Sequence, residues 1–235
     1  SLGLLILAFC LNLTMVAKRS IEAGHPPFSN LYESLIFYAC CTAFVYIIFE
    51  FIYNFRVVGA MASVLTMLIL LYATLQDDTI RPIMPALKSN WMLVHVVTYM
   101  LGYAAFGISF VTSIIYLVVK PFAGKSKDSK EDEDGREILP RNFDKLSYKI
   151  VAFGFPFLTL GMVTGAVWAK KAWGDYWSWD PKETWSLITW LAYLVYLHSP
   201  LVLPKMNINK SKASVILAFW LLFAFGIVNF TFVGL

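Results

Sequence analysis

Few residues in this chain could carry chemistry, and they sit among oily neighbours. The stretch AWGDYWSWDPKETW, Ala172–Trp185, packs Trp173, Tyr176, Trp177 and Trp179 into seven residues. Six of the eight tryptophans lie between Trp168 and Trp190. Membrane-interface belts spread Trp and Tyr over all helices. So dense a cluster is better suited to be a shelf for a large, flat, apolar ligand, a porphyrin or a quinone. Each stacked ring contact is worth about 0.5–1.5 kcal/mol beyond area burial, and Gly174 permits a tight turn beside the rings. The chain has three histidines, His25, His95 and His198. Neutral imidazole is a common axial ligand of heme iron, which favours an iron porphyrin. A hydrogen-bonded packing histidine is the alternative, although ionisable groups inside a membrane are functional candidates by default.

The end of the aromatic loop has its own explanation. Asp180 as N-cap, Pro181 at the first helical position and Glu183 at the third form a capping box. It stabilises the following helix by about 1 kcal/mol. Asp180 is the acid–base candidate taken from the loop, and the cap already accounts for it. Cys10, Cys40 and Cys41 form no C-x-x-C, C-x-x-C-H or zinc spacing, so the chain has neither a thiol relay nor a c-type heme of its own.

The elements that must position these groups are membrane spans. The chain is 59% hydrophobic and 14% charged, against roughly 25% charged in soluble domains, and its mean hydropathy is +0.66. A span needs about 20 mostly apolar residues. Seven segments qualify: Leu2–Ala17, Leu31–Tyr53, Val57–Leu75, Trp91–Val119, Ile150–Ala169, Glu183–His198 and Ala213–Leu235. The fold expected is an all-α polytopic helical bundle, one heme-handling membrane domain over residues 1–235. Residues 120–145, with GKSKDSKEDEDG at their heart, read as a flexible cytoplasmic loop, and residues 170–182 as the external Trp-rich loop. Leu2–Ala17 lacks a basic leader and small cleavage-site residues, so it reads as a span rather than a cleavable signal. Ser1 suggests that the chain is trimmed or part of something longer.

Lys and Arg counts orient the bundle. With the N-terminus inside, twelve basic residues fall on inner loops and seven on outer ones. The aromatic loop, His25 and the start of span four then face outward. His95 lies five residues past Asn90, about 7–8 Å down its helix, and His198 fifteen past Glu183, about 22 Å down. One imidazole is thus expected near each face. Glu33, near the start of span two, is either a packing or a functional group, and Glu50 is expected to snorkel at the inner end. The modest net charge of +4 points to the lipid bilayer as surroundings and to no nucleic acid.

Several stretches together resemble one family. WGDYWSWDPKETWSLITWLAYLVYLH, Trp173–His198, looks like the tryptophan-rich WWD signature of heme-handling proteins. With SNLYESLIF (Ser29–Phe37), WMLVHVVTYMLGYAAF (Trp91–Phe106) and FGFPFLTLGMVTGAVWA (Phe153–Ala169), the chain is similar to the CcsA/ResC family of system II cytochrome c synthases. That resemblance implies export of heme b and its thioether attachment to the C-x-x-C-H cysteines of apocytochrome c. It implies a holocytochrome c synthase, a heme thioether lyase, acting with a CcsB/ResB partner that is separate or fused upstream. His95 matches the outer histidine before the WWD loop, and His198 the transmembrane histidine after it. Both are therefore expected as axial ligands of heme iron, with Trp173, Gly174, Tyr176, Trp177, Trp179 and Asp180 around the macrocycle and His95 and Asp180 as the catalytic residues. The family's second outer histidine follows the last apolar stretch. This chain ends VNFTFVGL, so truncation just before that ligand, with an eighth span beyond, is the expectation. His25 competes for the position. A bacterial inner membrane and a thylakoid membrane both fit, with the aromatic loop on the periplasmic or lumenal side. The chemistry expected is positioning rather than acid–base catalysis. The alternatives are a transporter or quinone-binding subunit without chemistry, and an anchor whose aromatic loop docks a partner protein.

Overall fold

The computed structural model describes residues 2–54, 56–121, 138–206 and 208–234, and the described residues form helices with no strand. Among the described residues seven α-helices follow one another: α1 (Leu2–Ala23), α2 (Leu31–Tyr53), α3 (Arg56–Ala73), α4 (Asn90–Val119), α5 (Ile138–Trp173), α6 (Pro181–Val202) and α7 (Lys210–Asn229). A 3₁₀ turn, Pro85–Leu87, precedes α4, and a π-helical turn, Phe230–Gly234, continues α7. The polytopic helical bundle is thus as expected, with two adjustments to its spans.

Six helices among the described residues are long and apolar enough to cross a membrane. The third apolar helix, Val57–Ala73, is shorter. At 1.5 Å per residue it reaches about 26 Å, short of a ~30 Å hydrocarbon core. α5, in contrast, starts at Ile138, twelve residues before the expected Ile150. Hydropathy alone misses these three turns because Lys145 and Lys149 interrupt the apolar run. Phe143, Leu146 and Ile150, however, are buried at a helical spacing that forms one stripe. Of the expected loop 120–145, residues 122–137 lie outside the described residues.

α4 is the central element, packed along α5 and against α2 and α7. Phe106 stacks on Tyr193 of α6 with ring centroids 3.5 Å apart. The α4–α5 contact is close because it runs over glycine. A Cβ on Gly161 would lie 2.2 Å from the Tyr99 ring. Small residues at membrane helix contacts serve the same purpose generally. Polar bridges lock the register. Thr112 and Ser147 hydroxyls meet at 2.7 Å, and Trp190 Nε1 donates to Thr159 Oγ1 of α5 at 2.9 Å.

One end of the bundle is stitched by polar contacts. Glu33 is fully buried. Its carboxylate accepts from Ser29 N–H and Oγ–H at 3.0 and 2.7 Å and pairs with Arg19 of α1 at 3.1 Å. Arg19 also donates to the Asp78 carbonyl at 2.6 Å. His25 is buried, with Nδ1 3.0 Å from the Pro26 carbonyl and Nε2 3.2 Å from that of Arg81. The packing reading of Glu33 therefore has named partners. At the opposite end Glu50 does not snorkel. It is buried, and Tyr46 donates to it at 2.7 Å.

Candidate functional site

The stitched end borders a half-open cavity of about 460 Å³, within the usual range for small-molecule sites. α4 contributes Met92, His95, Tyr99 and Tyr103, and α5 contributes Gly165, Trp168 and Trp173. The loop into α6 adds Tyr176, Trp177 and Asp180, and the first turns of α6 add Lys182, Glu183 and Ser186. Phe28 and Leu31, held by the Glu33–Ser29 contacts, and Thr231 and Phe232 of the π turn complete the wall.

His95 is the best-defined group in it. Its Nδ1–H donates to the Gly161 carbonyl at 2.7 Å. That bond fixes the tautomer: Nε2 carries the lone pair and has no hydrogen-bond partner among the described residues. This is the arrangement of a metal-ligating imidazole, whose other nitrogen is oriented by an acceptor. The ring is further held by Trp168, nearly parallel at 16° with centroids 6.3 Å apart, and by Tyr99 at 4.7 Å. Trp168 is itself fixed, its Nε1 donating to the Ala86 carbonyl at 2.8 Å. Among the described residues no three of His, Cys, Asp and Glu gather as ligands for a bare metal ion. The donor set fits a metal that arrives inside an organic ring, with flat aromatic walls to receive the ring.

The aromatic loop divides into two groups. Trp173, Tyr176 and Trp177 line the cavity, and Trp173 also meets Trp168 edge-on at 4.6 Å. Trp179 is not among the lining residues; it is 68% exposed and stands edge-on to Trp177 at 5.7 Å. The cause is local. Trp179 has φ of 61°, a left-handed conformation that costs a non-glycine residue about 1–2 kcal/mol. Strain of this kind clusters at functional sites. Gly174 lines nothing either, but at φ 98° it ends α5, with its N–H on the Lys170 carbonyl at 3.1 Å.

Asp180 is the N-cap of α6. It accepts from Glu183 N–H at 2.7 Å, while Glu183 Oε2 accepts from Asp180 N–H at 3.3 Å and Ser178 N–H at 2.7 Å. Both carboxylates touch the cavity but are engaged with backbone. His198 lies on α6, five turns below the cap, outside the cavity. It is exposed, and its Nδ1–H donates to the Leu194 carbonyl at 2.8 Å. The structure thus brings His95, Trp173, Tyr176, Trp177 and Asp180 together and leaves Trp179, Gly174, His198 and His25 outside that wall.

Sequence reasoning missed Trp168, Lys182 and the π turn. Trp168 lies three residues past Gly165 in the Trp-dense region, a signal that was present. The π turn left no hydropathy signal, although such turns often mark functional positions.

Residues 28–235 match the family model described as Cytochrome C assembly protein. A protein named Cytochrome c biogenesis protein CcsA from Guillardia theta is 42% identical over 215 residues, covering 84% of this chain and 71% of the relative. Its namesake from Chlamydomonas reinhardtii is 41% identical over 194 residues, 80% of this chain and 53% of that protein. That from Microcystis aeruginosa is 36% identical over 247 residues, 85% and 74% respectively. The chain therefore spans about half to three quarters of these relatives' own lengths. The matched segment includes every residue of the His95 cavity named above, and the chain belongs to the cytochrome c assembly protein family.

Proposed function

We propose that this chain acts in cytochrome c biogenesis, the process for which its relatives are named, by holding heme in the His95 cavity for attachment to apocytochrome c. The observation that carries the reading is the His95–Gly161 hydrogen bond at 2.7 Å at the wall of an aromatic cavity. It leaves one imidazole nitrogen free for iron where flat rings stand ready for a macrocycle. Heme b is the substrate, iron protoporphyrin whose vinyl groups accept the cysteine thiols of a C-x-x-C-H motif. In the attachment each thiol S–H adds across a vinyl group, forming one C–S and one C–H bond. The protein's part is orientation, which contributes about 7–11 kcal/mol toward a barrier when reactants are well aligned. Asp180 serves the cap, and its role is to place Trp177 and α6 rather than to move protons.

His198 supplies a second imidazole near the other membrane face. It stands exposed beside Val195, Leu201 and Val202, also exposed, a face suited to a membrane partner of the CcsB/ResB kind. In this reading heme enters there and leaves at the His95 cavity on the periplasmic or lumenal side. His198→Ala then lowers heme arriving at the cavity while attachment of heme supplied from outside persists.

The test is co-expression of the chain and its membrane partner with an apocytochrome c bearing C-x-x-C-H or A-x-x-A-H. Covalent heme on the first alone is the expected result. Apocytochrome without covalent heme, in cells where chain and partner accumulate normally, would overturn the reading.

A further inference from the structure

Among the described residues lining the cavity, Lys182 carries the only ammonium. The neighbouring lysines have partners. Lys170 donates to the Gly174 carbonyl at 2.5 Å and lies over the Tyr176 ring, and Lys171 lies over the Trp91 ring. The two wall carboxylates, Asp180 and Glu183, are engaged by the backbone N–H groups of the cap. Lys182 has no ion pair among the described residues. It also sits at the second position of α6, where the positive end of the helix dipole disfavours a cation. Lys182 is exposed, so its ammonium can reach an anion at the cavity wall.

Apart from His95, the two carboxylates and the hydroxyls of Ser34, Ser186 and Thr231, the rest of the wall is largely aromatic and aliphatic. A flat apolar body against those rings with an anionic group at the start of α6 would satisfy both features. A quinone offers no anion; protoporphyrin carries two propionates on one edge and its vinyls on the other. Building on the heme reading above, we propose that Lys182 binds a heme propionate and so selects a carboxylate-bearing tetrapyrrole and fixes its in-plane orientation. With the propionate edge held at the α6 N-terminus, the vinyl edge is directed away from it. Lys182 is then a specificity-determining residue, acting on which macrocycle binds and which way round.

The experiment compares heme with heme dimethyl ester, in which both propionates are esterified. The chain is purified with its membrane partner from heme-starved cells, and binding is followed by visible absorption. Wild type should bind heme about ten to a hundred times more tightly than the diester, the range of one charge-assisted hydrogen bond. Lys182→Ala should bind both with the affinity wild type has for the diester, and that retained diester binding shows the variant folded. Lys182→Arg should restore most of the preference. Equal discrimination in wild type and Lys182→Ala, or none in wild type, would overturn the proposal while leaving the heme reading intact. Failure of wild type to bind either macrocycle would remove the heme reading and this proposal together.

Discussion

Gly165 of α5 leaves the space that the imidazole of His95 occupies: a Cβ on Gly165 would stand 2.5 Å from His95 Nδ1 and 2.6 Å from Cε1. One turn earlier, the Gly161 carbonyl accepts the hydrogen bond from Nδ1–H. Two positions on one helix therefore set both the place and the tautomer of a side chain on another.

Gly165→Ala should push the ring from that carbonyl. Overpacking of this size costs about 1–3 kcal/mol, so heme retained per inserted chain should fall about tenfold, read by absorption of the purified complex. Gly3→Ala, where an added Cβ meets nothing within 4 Å, is the control that should leave retention unchanged.

The split within the aromatic loop makes a second prediction. Trp177 lines the cavity and Trp179 does not, so Trp177→Ala should lose several-fold more heme than Trp179→Ala. Loss of one stacked ring is worth about 0.5–1.5 kcal/mol beyond area. Equal losses would mean that the two indoles share the ligand.

Asp180 separates a capping role from an acid–base role. Asp180→Asn keeps a side-chain acceptor for Glu183 N–H, so stability and the pH profile of heme attachment should both stay near wild type. Asp180→Ala removes the acceptor and should cost about 1 kcal/mol, seen as a lower thermal midpoint in detergent. A changed pH profile in Asp180→Asn would assign the carboxyl a proton-transfer role.

Arg19 and Glu33 anchor α1 and the loop before α2. Glu33 is fully buried and its partner nearly so. Removing one member of such a pair costs about 3–5 kcal/mol. Glu33→Ala should therefore lower thermal stability sharply, and Arg19→Ala with Glu33→Ala together should cost less than the two single changes added. Strict additivity in thermal unfolding would show that the pair is not coupled.

Hydropathy and local caps account for what was legible in the sequence. Leu31–Tyr53 appears with the expected bounds because both its ends carry signals. Asn30 caps the start, accepting from Glu33 N–H at 2.8 Å, and Asn54 ends it in a left-handed conformation. The capping box at Asp180 was readable from four residues for the same reason. The early start of α5 was not, because a helix that emerges from an apolar layer keeps its buried stripe while losing its mean hydropathy. Nor was the outward turn of Trp179, since a single residue at positive φ redirects a side chain without altering composition. Lys182 counted only as a loop charge until the cavity gave it neighbours.

On the proposed heme reading, His95 is the group that grips iron. The direct measurement is the visible absorption of the purified chain with its partner, from cells well supplied with heme, for wild type, His95→Ala, and His95→Ala with added imidazole. Wild type should carry the bands of an imidazole-ligated heme, His95→Ala should lose or shift them, and imidazole should restore them. The same bands at the same heme content in His95→Ala without imidazole would contradict the account.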